Sequence, residues 1–116
     1  MKIKLKRVYD DSGAAEGYRV LVDRVWPRGI SKESLRLDEW LRDLAPSTKL
    51  RKWFGHDPSR WESFRRQYLD ELQAKQVELK RLQTIAKRGP LILLYGAKDE
   101  EHNQAVVIRE LLQGEL

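Results

Sequence analysis

The chain has 116 residues, of which 41% are hydrophobic and 35% charged, a composition that suits one compact domain and excludes a disordered chain. Its formal net charge of +5 favours anionic partners without choosing among small phosphates, nucleic acid and acidic membranes. Cysteine, a long apolar run and a secretory signal are all missing, which excludes disulfides, thiolate chemistry and a membrane span. We therefore expect a single domain over residues 1–116, cytoplasmic and with no membrane partner.

The first part of the chain predicts two strands. Residues 2–8 alternate polar and apolar side chains, and lysines at positions 2, 4 and 6 are typical of an exposed sheet edge. A polar loop containing Gly13 and Gly17 follows. Residues 18–22, with the sequence YRVLV, then predict a second and more deeply buried strand.

Short helical segments are predicted next. Ser31 can cap a helical turn over residues 31–35, and residues 37–46 favour a helical turn that leads into a short strand. Ser47 can cap a further short helix, and Gly55 is well placed to end it.

A long helical pattern then covers residues 58–87. Asp57 followed by Pro58 is a strong helix start, because aspartate accepts hydrogen bonds from free backbone N–H groups and proline has none to lose. One straight helix over this range would be roughly 45 Å long. A chain of this size has a diameter of roughly 27 Å. We therefore predict a bend or break near residues 74–77.

The carboxyl-terminal part predicts a helix, a buried strand and a last helix. Gly89, as a left-handed cap, and Pro90 end the long helical segment. The continuous apolar run LILLYG that follows is typical of a parallel strand buried on both faces. A final helix is expected from about residue 99 to residue 112, with Asp99 as its cap. This order of elements indicates an α/β fold, a small layered domain with a mainly parallel sheet of about four strands flanked by helices.

The segment DRVWPRG after the second strand is the first candidate for ligand binding. Ligands of open parallel sheets bind beyond the carboxyl ends of the strands. The candidate ligand-binding residues here are Asp23, Arg24, Trp26 and Arg28. Arg24 and Arg28 suit contacts to carboxylate or phosphate, and Trp26 suits stacking on a planar group. The alternative is that Asp23 pairs with an arginine and Trp26 fills the core.

The segment YGAKDEEHN after the last strand is the second candidate. We expect it to bring Tyr95, Lys98 and Asn103 to the same end of the sheet, and His102 to serve as an acid or base if chemistry occurs. Alternatively His102 is a solvated or capping residue, and Tyr95 packs in the core. Acidic residues in the first turn of the predicted helix argue against phosphate binding at that terminus.

A basic and aromatic segment, residues 49–66, supports a different function. Its six Lys and Arg residues against two acidic residues, together with its aromatic side chains, resemble a nucleic-acid surface. The aromatic residues also fall at helical spacing, which favours the core. Two histidines without a metal-binding motif predict no metal site, and without nucleotide-binding glycine motifs we expect no cofactor.

Three blocks of the sequence together carry a family resemblance. RVLVDRVWPRGI, LRDLAPSTKLRKWFGHDPSRWESFRRQYLDEL and GPLILLYGAKDEEHNQAVVIRELL resemble the YeaO-like branch of a bacterial family, domain of unknown function 488. The resemblance covers nearly the whole chain and implies a small, cytoplasmic α/β protein of a bacterium. It implies no activity, and thiol chemistry cannot be carried over to a chain without cysteine.

Three hypotheses stay open from the sequence, and the oligomeric state stays open with them. The first is binding, with or without turnover, of an anionic small molecule such as a nucleotide at the strand ends. The second is a nucleic-acid-binding or regulatory protein that uses residues 49–66. The third is a structural or interaction protein without a ligand site.

Overall fold

The protein is an α/β domain built on a four-stranded parallel sheet. The computed structural model describes residues 1–10 and 17–114, and most of the predicted loop around Gly13 lies outside these residues. The strands are β1 (Ile3–Arg7), β2 (Tyr18–Leu21), β3 (Glu39–Trp40) and β4 (Leu91–Tyr95). They pair in the order β1-β4-β2-β3, and each pairing is parallel, as the sequence predicted.

Helices cover the sheet on both faces. They are α1 (Lys32–Leu35), α2 (Thr48–Phe54), α3 (Trp61–Leu72), α4 (Gln76–Arg88) and α5 (Gln104–Gln113). Alternate side chains of β4 enter two separate cores: Leu93 packs with residues of α2 to α5, whereas Leu94 packs with Leu35 of α1. Every residue of β4 is buried, which accounts for its unbroken apolar sequence.

The predicted caps and breaks of the middle helices are largely confirmed. The Ser47 hydroxyl accepts a hydrogen bond from the Leu50 backbone N–H at 3.1 Å, and Gly55 ends α2 with a φ of +54°. Asp57 caps a 3-10 turn, Pro58–Arg60, rather than the α-helix that follows it. The predicted break is a 3-10 turn at Gln73–Lys75. Within the part of the chain that the structure describes, no helix is long and apolar enough to cross a membrane.

Two local predictions are wrong in detail. In residues 37–46 the strand comes first and the 3-10 turn Arg42–Leu44 second, because the backbone N–H of Leu41 bonds to the carbonyl of Leu21 at 2.9 Å and docks this segment on β2. Gly89 is not a left-handed cap, since its φ is −179°. Pro90 favours an extended conformation in the residue before it, and the chain must enter β4 directly.

The predicted start of the last helix at Asp99 is also wrong. Helix α5 begins at Gln104, and its N-cap is Asn103, whose side-chain oxygen accepts from the backbone N–H groups of Ala105 and Val106. Asp99 instead caps a separate turn. The acidic residues at positions 100 and 101 therefore precede the helix, and its first turn contains no acid.

The buried hydroxyl of Tyr68 offers a first test of the packing. It donates to the carbonyl oxygen of Leu44 at 2.7 Å, and the residue has no exposed surface. We expect Tyr68→Phe to lower the free energy of unfolding by about 1 to 3 kcal/mol, because it leaves a buried carbonyl without its partner. Urea denaturation measures this loss. The matched control is Tyr9→Phe, which removes an exposed bond to the Arg28 carbonyl; equal losses in the two variants would contradict the prediction.

Candidate functional site

A cavity of about 220 Å³ lies at the carboxyl ends of β2 and β4, where parallel sheets place their ligands. We call it the strand-end cavity. Its wall contains four side chains with basic groups, Arg24, Arg51, His56 and His102. Polar side chains of Tyr9, Asp23, Asn103 and Gln104 also line the wall, and prolines and phenylalanines line its apolar part. The cavity therefore combines positive charge with an apolar surface, which is the usual make-up of a small-molecule site.

Asp23 is held in one orientation by two hydrogen-bond donors. The Gln104 side-chain nitrogen donates to its Oδ1, and the backbone N–H of Gly96 also donates to its carboxyl group. A Cβ at position 96 would lie 2.8 Å from Oδ2, so a side chain there would displace the Asp23 carboxyl group. Burial raises the pKa of Asp23 to about 6, while the two hydrogen bonds and the charge of Arg51 oppose the rise. A titratable group perturbed by burial inside a cavity is typical of functional sites.

Arg24 is fixed to the cavity wall by backbone carbonyls. Its Nε donates to the Pro46 oxygen at 2.8 Å, and its Nη2 donates to the Ala45 oxygen at 2.9 Å. The guanidinium thus ties the loop after β2 to the segment before α2. Arg24 is neither an internal partner of Asp23 nor a freely moving side chain, and its charge is built into the wall.

His102 lies at the cavity with one ring nitrogen already engaged. Its Nδ1 is 2.8 Å from Oδ2 of Asp99, and its ring meets the Trp61 ring edge-on, with centroids 5.2 Å apart. The pKa of Asp99 is lowered mainly by a hydrogen bond from the Glu101 backbone N–H and, to a smaller extent, by one from the His102 side chain. This arrangement leaves Nε2 for a ligand, since a carboxylate on one ring nitrogen orients the other.

His56 enters the cavity wall from an unusual backbone conformation. Its φ is +56°, a left-handed value that histidine adopts more often than most residues but at some cost in energy. It follows Gly55, which is also left-handed, and its ring centroid is 6.3 Å from that of Phe54. The two consecutive left-handed residues turn the chain sharply after α2 and set His56 beside the cavity.

The floor of the cavity is made by stacked rings of the main core. The rings of Phe54 and Phe64 have centroids 4.3 Å apart and an interplanar angle of 20°. Both residues are buried, and Pro27 and Pro46 are buried beside the same cavity. This floor offers contact area to an apolar part of a ligand.

Asn103 belongs to the wall, but its polar atoms serve the backbone. It is only 2% exposed, and its side-chain nitrogen donates to the Asp99 carbonyl at 2.9 Å while its oxygen caps α5. Asn103 therefore positions the loop that carries His102.

The structure brings four of the sequence-predicted site residues to the cavity and leaves four elsewhere. Asp23, Arg24, His102 and Asn103 line it. Trp26 lies on the other face of the sheet, with its ring centroid 5.3 Å from that of Trp40, and Arg28 is exposed outside the cavity. Tyr95 faces a separate hollow near the end of β1, and Lys98 lines neither space.

Sequence reasoning missed Arg51, His56 and Gln104. Arg51 lies on α2 within residues 49–66, whose basic residues pointed to a nucleic-acid surface, and His56 gave no signal beyond its histidine side chain. The sequence signal that could have indicated Arg51 is the pair of helix ends at Ser47 and Gly55. These residues fix where α2 begins and ends, and α2 places Arg51 at the end of the sheet. Among the described residues no cluster of His, Asp and Glu side chains could hold a metal ion.

A family model covers the same part of the chain that builds this site. The model of DUF488-N3i, described as the inactive DUF488-N3 subclade, matches residues 2–116. The chain belongs to this family. The part of the chain that matches the DUF488-N3i model includes both strand ends at the cavity and the helix that carries Arg51. The expectation of a YeaO-like member of the DUF488 proteins is confirmed.

Bacterial relatives align over nearly the full length of the domain. The uncharacterized protein YeaO of Escherichia coli is 50% identical over 113 residues, which are 97% of this chain and 98% of YeaO. The uncharacterized protein Rv3073c of Mycobacterium tuberculosis is 35% identical over 113 residues, or 97% of this chain and 95% of Rv3073c. No solved structure matches the chain.

Proposed function

We propose that this DUF488-N3i protein binds a small anionic molecule, a carboxylate or a phosphate with a short apolar part, in the strand-end cavity. The observation that carries the proposal is the convergence of Arg24, Arg51, His56 and His102 on one cavity with an apolar floor. Guanidinium groups suit carboxylate and phosphate because their N–H groups match two oxygens at once.

The size of the cavity supports a small ligand. Its volume of about 220 Å³ is below the range of roughly 300 to 1,000 Å³ that is typical of sites for drug-sized ligands. A small acid, or a phosphate on a short chain, suits this space better than a complete nucleotide. The description of the subclade as inactive supports a role in binding rather than in turnover.

Nucleic-acid binding by residues 49–66 has less support. Phe54 and Phe64 of this segment are buried in the core, so they are not offered to bases. Trp53 is 40% exposed, but the Arg60 guanidinium already lies 5.4 Å from its ring centroid. We therefore keep the small-molecule proposal as the conclusion.

Arg51→Gln tests the proposal directly. We expect it to weaken the binding of small carboxylates or phosphates about 10- to 100-fold, because a hydrogen bond to a charged group contributes roughly 1.5 to 3 kcal/mol. Isothermal titration measures the affinity, after a thermal-shift screen with 4-methylpentanoate and ethyl phosphate as the first probes. A ligand that binds only the folded state raises Tm with its concentration.

The matched control is Arg66→Gln. Arg66 is exposed on α3 and does not line the cavity. Arg66→Gln therefore changes the net charge as Arg51→Gln does but leaves the cavity intact. An equal loss of affinity in the two variants would mean that net charge alone attracts the anion. No stabilisation by any small carboxylate or phosphate would overturn the proposed function.

A further inference from the structure

Asp23 is the one acidic side chain on a cavity whose other charged groups are basic. Among the described residues that line the cavity, no second Asp or Glu is present. A cavity evolved for an anion alone gains nothing from a carboxylate, since like charges repel at short distance. The presence of Asp23 therefore needs a separate explanation.

Asp23 makes no direct ion pair within the described part of the chain, although the charge of Arg51 acts on it from across the cavity. None of the ion pairs in that part of the chain includes its carboxyl group. The adjacent Arg24 is bound to the carbonyls of Ala45 and Pro46 instead. A largely desolvated carboxylate without a direct ion pair costs free energy, and a ligand with a positive or N–H group would offset that cost.

The Asp23 carboxylate also keeps room for further hydrogen bonds. An ionised carboxylate has about four lone-pair positions. Gln104 and the Gly96 backbone use two of them and hold the group in place. Asp23 is thus a fixed acceptor beside a cavity, and a donor on the ligand would meet it without rearrangement of the protein.

We propose that the ligand of the strand-end cavity is a small amino acid-like molecule, whose ammonium or N–H group binds Asp23 and whose acidic group binds Arg51. This inference rests on the proposed function and names the class of ligand that the same site takes. Both residues line one cavity of about 220 Å³ and the charge of Arg51 acts on Asp23, so we expect a single small molecule to contact both.

Matched ligand pairs test this inference on the intact protein. L-leucine is compared with 4-methylpentanoate, and 2-aminoethyl phosphate with ethyl phosphate, so that each pair differs by one amino group. Titration calorimetry is expected to show that the amino compound of at least one pair binds about tenfold or more tightly. The pair that shows this preference distinguishes a carboxylate from a phosphate ligand.

Asp23→Asn identifies the side chain that recognises the amino group. We expect the variant to bind both members of the preferred pair equally well, while the variant Asp70→Asn, altered at an exposed residue of α3, keeps the wild-type preference. A preference that survives in Asp23→Asn would overturn the inference. If Asp23→Asn does not fold, the preference of the unmodified protein still decides, because equal binding within both pairs overturns the inference.

The pH dependence of the preference supplies a second readout. Because the pKa of Asp23 is about 6, its carboxyl group is ionised at pH 8 and mostly protonated at pH 5. We therefore expect the tenfold preference for the amino compound at pH 8 and its loss at pH 5. Charged and titratable groups around Asp23 are Arg24, Arg51, His56, His102 and Tyr68. Both compounds of a pair meet the same surrounding groups, so the comparison within each pair isolates the amino group. If neither compound of either pair binds, the proposed function fails; if the des-amino compounds bind as tightly, only this inference fails.

Discussion

The free energy of unfolding is expected to fall by about 3 kcal/mol between about pH 4 and about pH 6 through Asp23 alone. Burial raises the pKa of this carboxyl from 3.8 to about 6 in the folded protein. The folded state therefore holds a proton that the unfolded state has released, and stability decreases as the pH rises through this window. Above about pH 6 both states are ionised, and the loss stays constant.

Asp23→Asn measures this contribution. We expect the variant to lack the decrease between about pH 4 and about pH 6, so that its stability relative to the unmodified protein improves with rising pH. Urea denaturation at a series of pH values provides the measurement. The carboxyl groups of Glu39, Asp57 and Asp99 have lowered pKa values and act in the opposite direction, which is why the difference between the two proteins is the informative quantity.

Asp70→Asn serves as the control for the loss of one negative charge. Asp70 is exposed on α3, and its replacement is expected to leave the pH profile unchanged. Parallel profiles for the unmodified protein and Asp23→Asn would contradict the raised pKa. A destabilising acid kept inside a cavity is consistent with selection for binding at the expense of stability.

Gly17→Ala is expected to cost about 3 kcal/mol of unfolding free energy. The φ of Gly17 is +143°, and a Cβ there would lie 2.7 Å from the Pro90 carbonyl oxygen. The same oxygen accepts the backbone N–H of Tyr18 at 2.9 Å, at the start of β2. A side chain would therefore strain the backbone and push β2 away from β4. Urea denaturation provides the measurement.

Gly29→Ala separates the two causes of this loss. Gly29 also has a positive φ, +79°, but nothing lies within 4 Å of the position of a Cβ. We expect a cost of about 1 kcal/mol from the left-handed backbone alone. A loss at Gly17 no larger than the loss at Gly29 would show that β2 and β4 tolerate the added methyl group.

Local chemistry was sufficient to predict most elements of the fold. The apolar run of β4, the Ser47 cap and the Gly55 stop each act within a few residues, and the structure has them where the sequence predicted. The break after α3 followed from chain length and compactness. The start of α5 was mistaken because Asp99 and Asn103 are both suitable caps. The buried face of the helix begins at Ala105, which selects Asn103.

The sequence by itself determined the parallel α/β layering and the presence of polar loops at the ends of β2 and β4, since alternation, apolar runs and caps depend on neighbouring residues. It therefore grouped eight residues at this end of the sheet, and four of them, Asp23, Arg24, His102 and Asn103, line the cavity. Only the tertiary structure decided that Trp26 belongs to the opposite face and that Arg51 and His56 join the cavity. The reason is physical: a side chain reaches a site through the packing angle of its helix and the turn of its loop, and these depend on contacts between residues far apart in the chain.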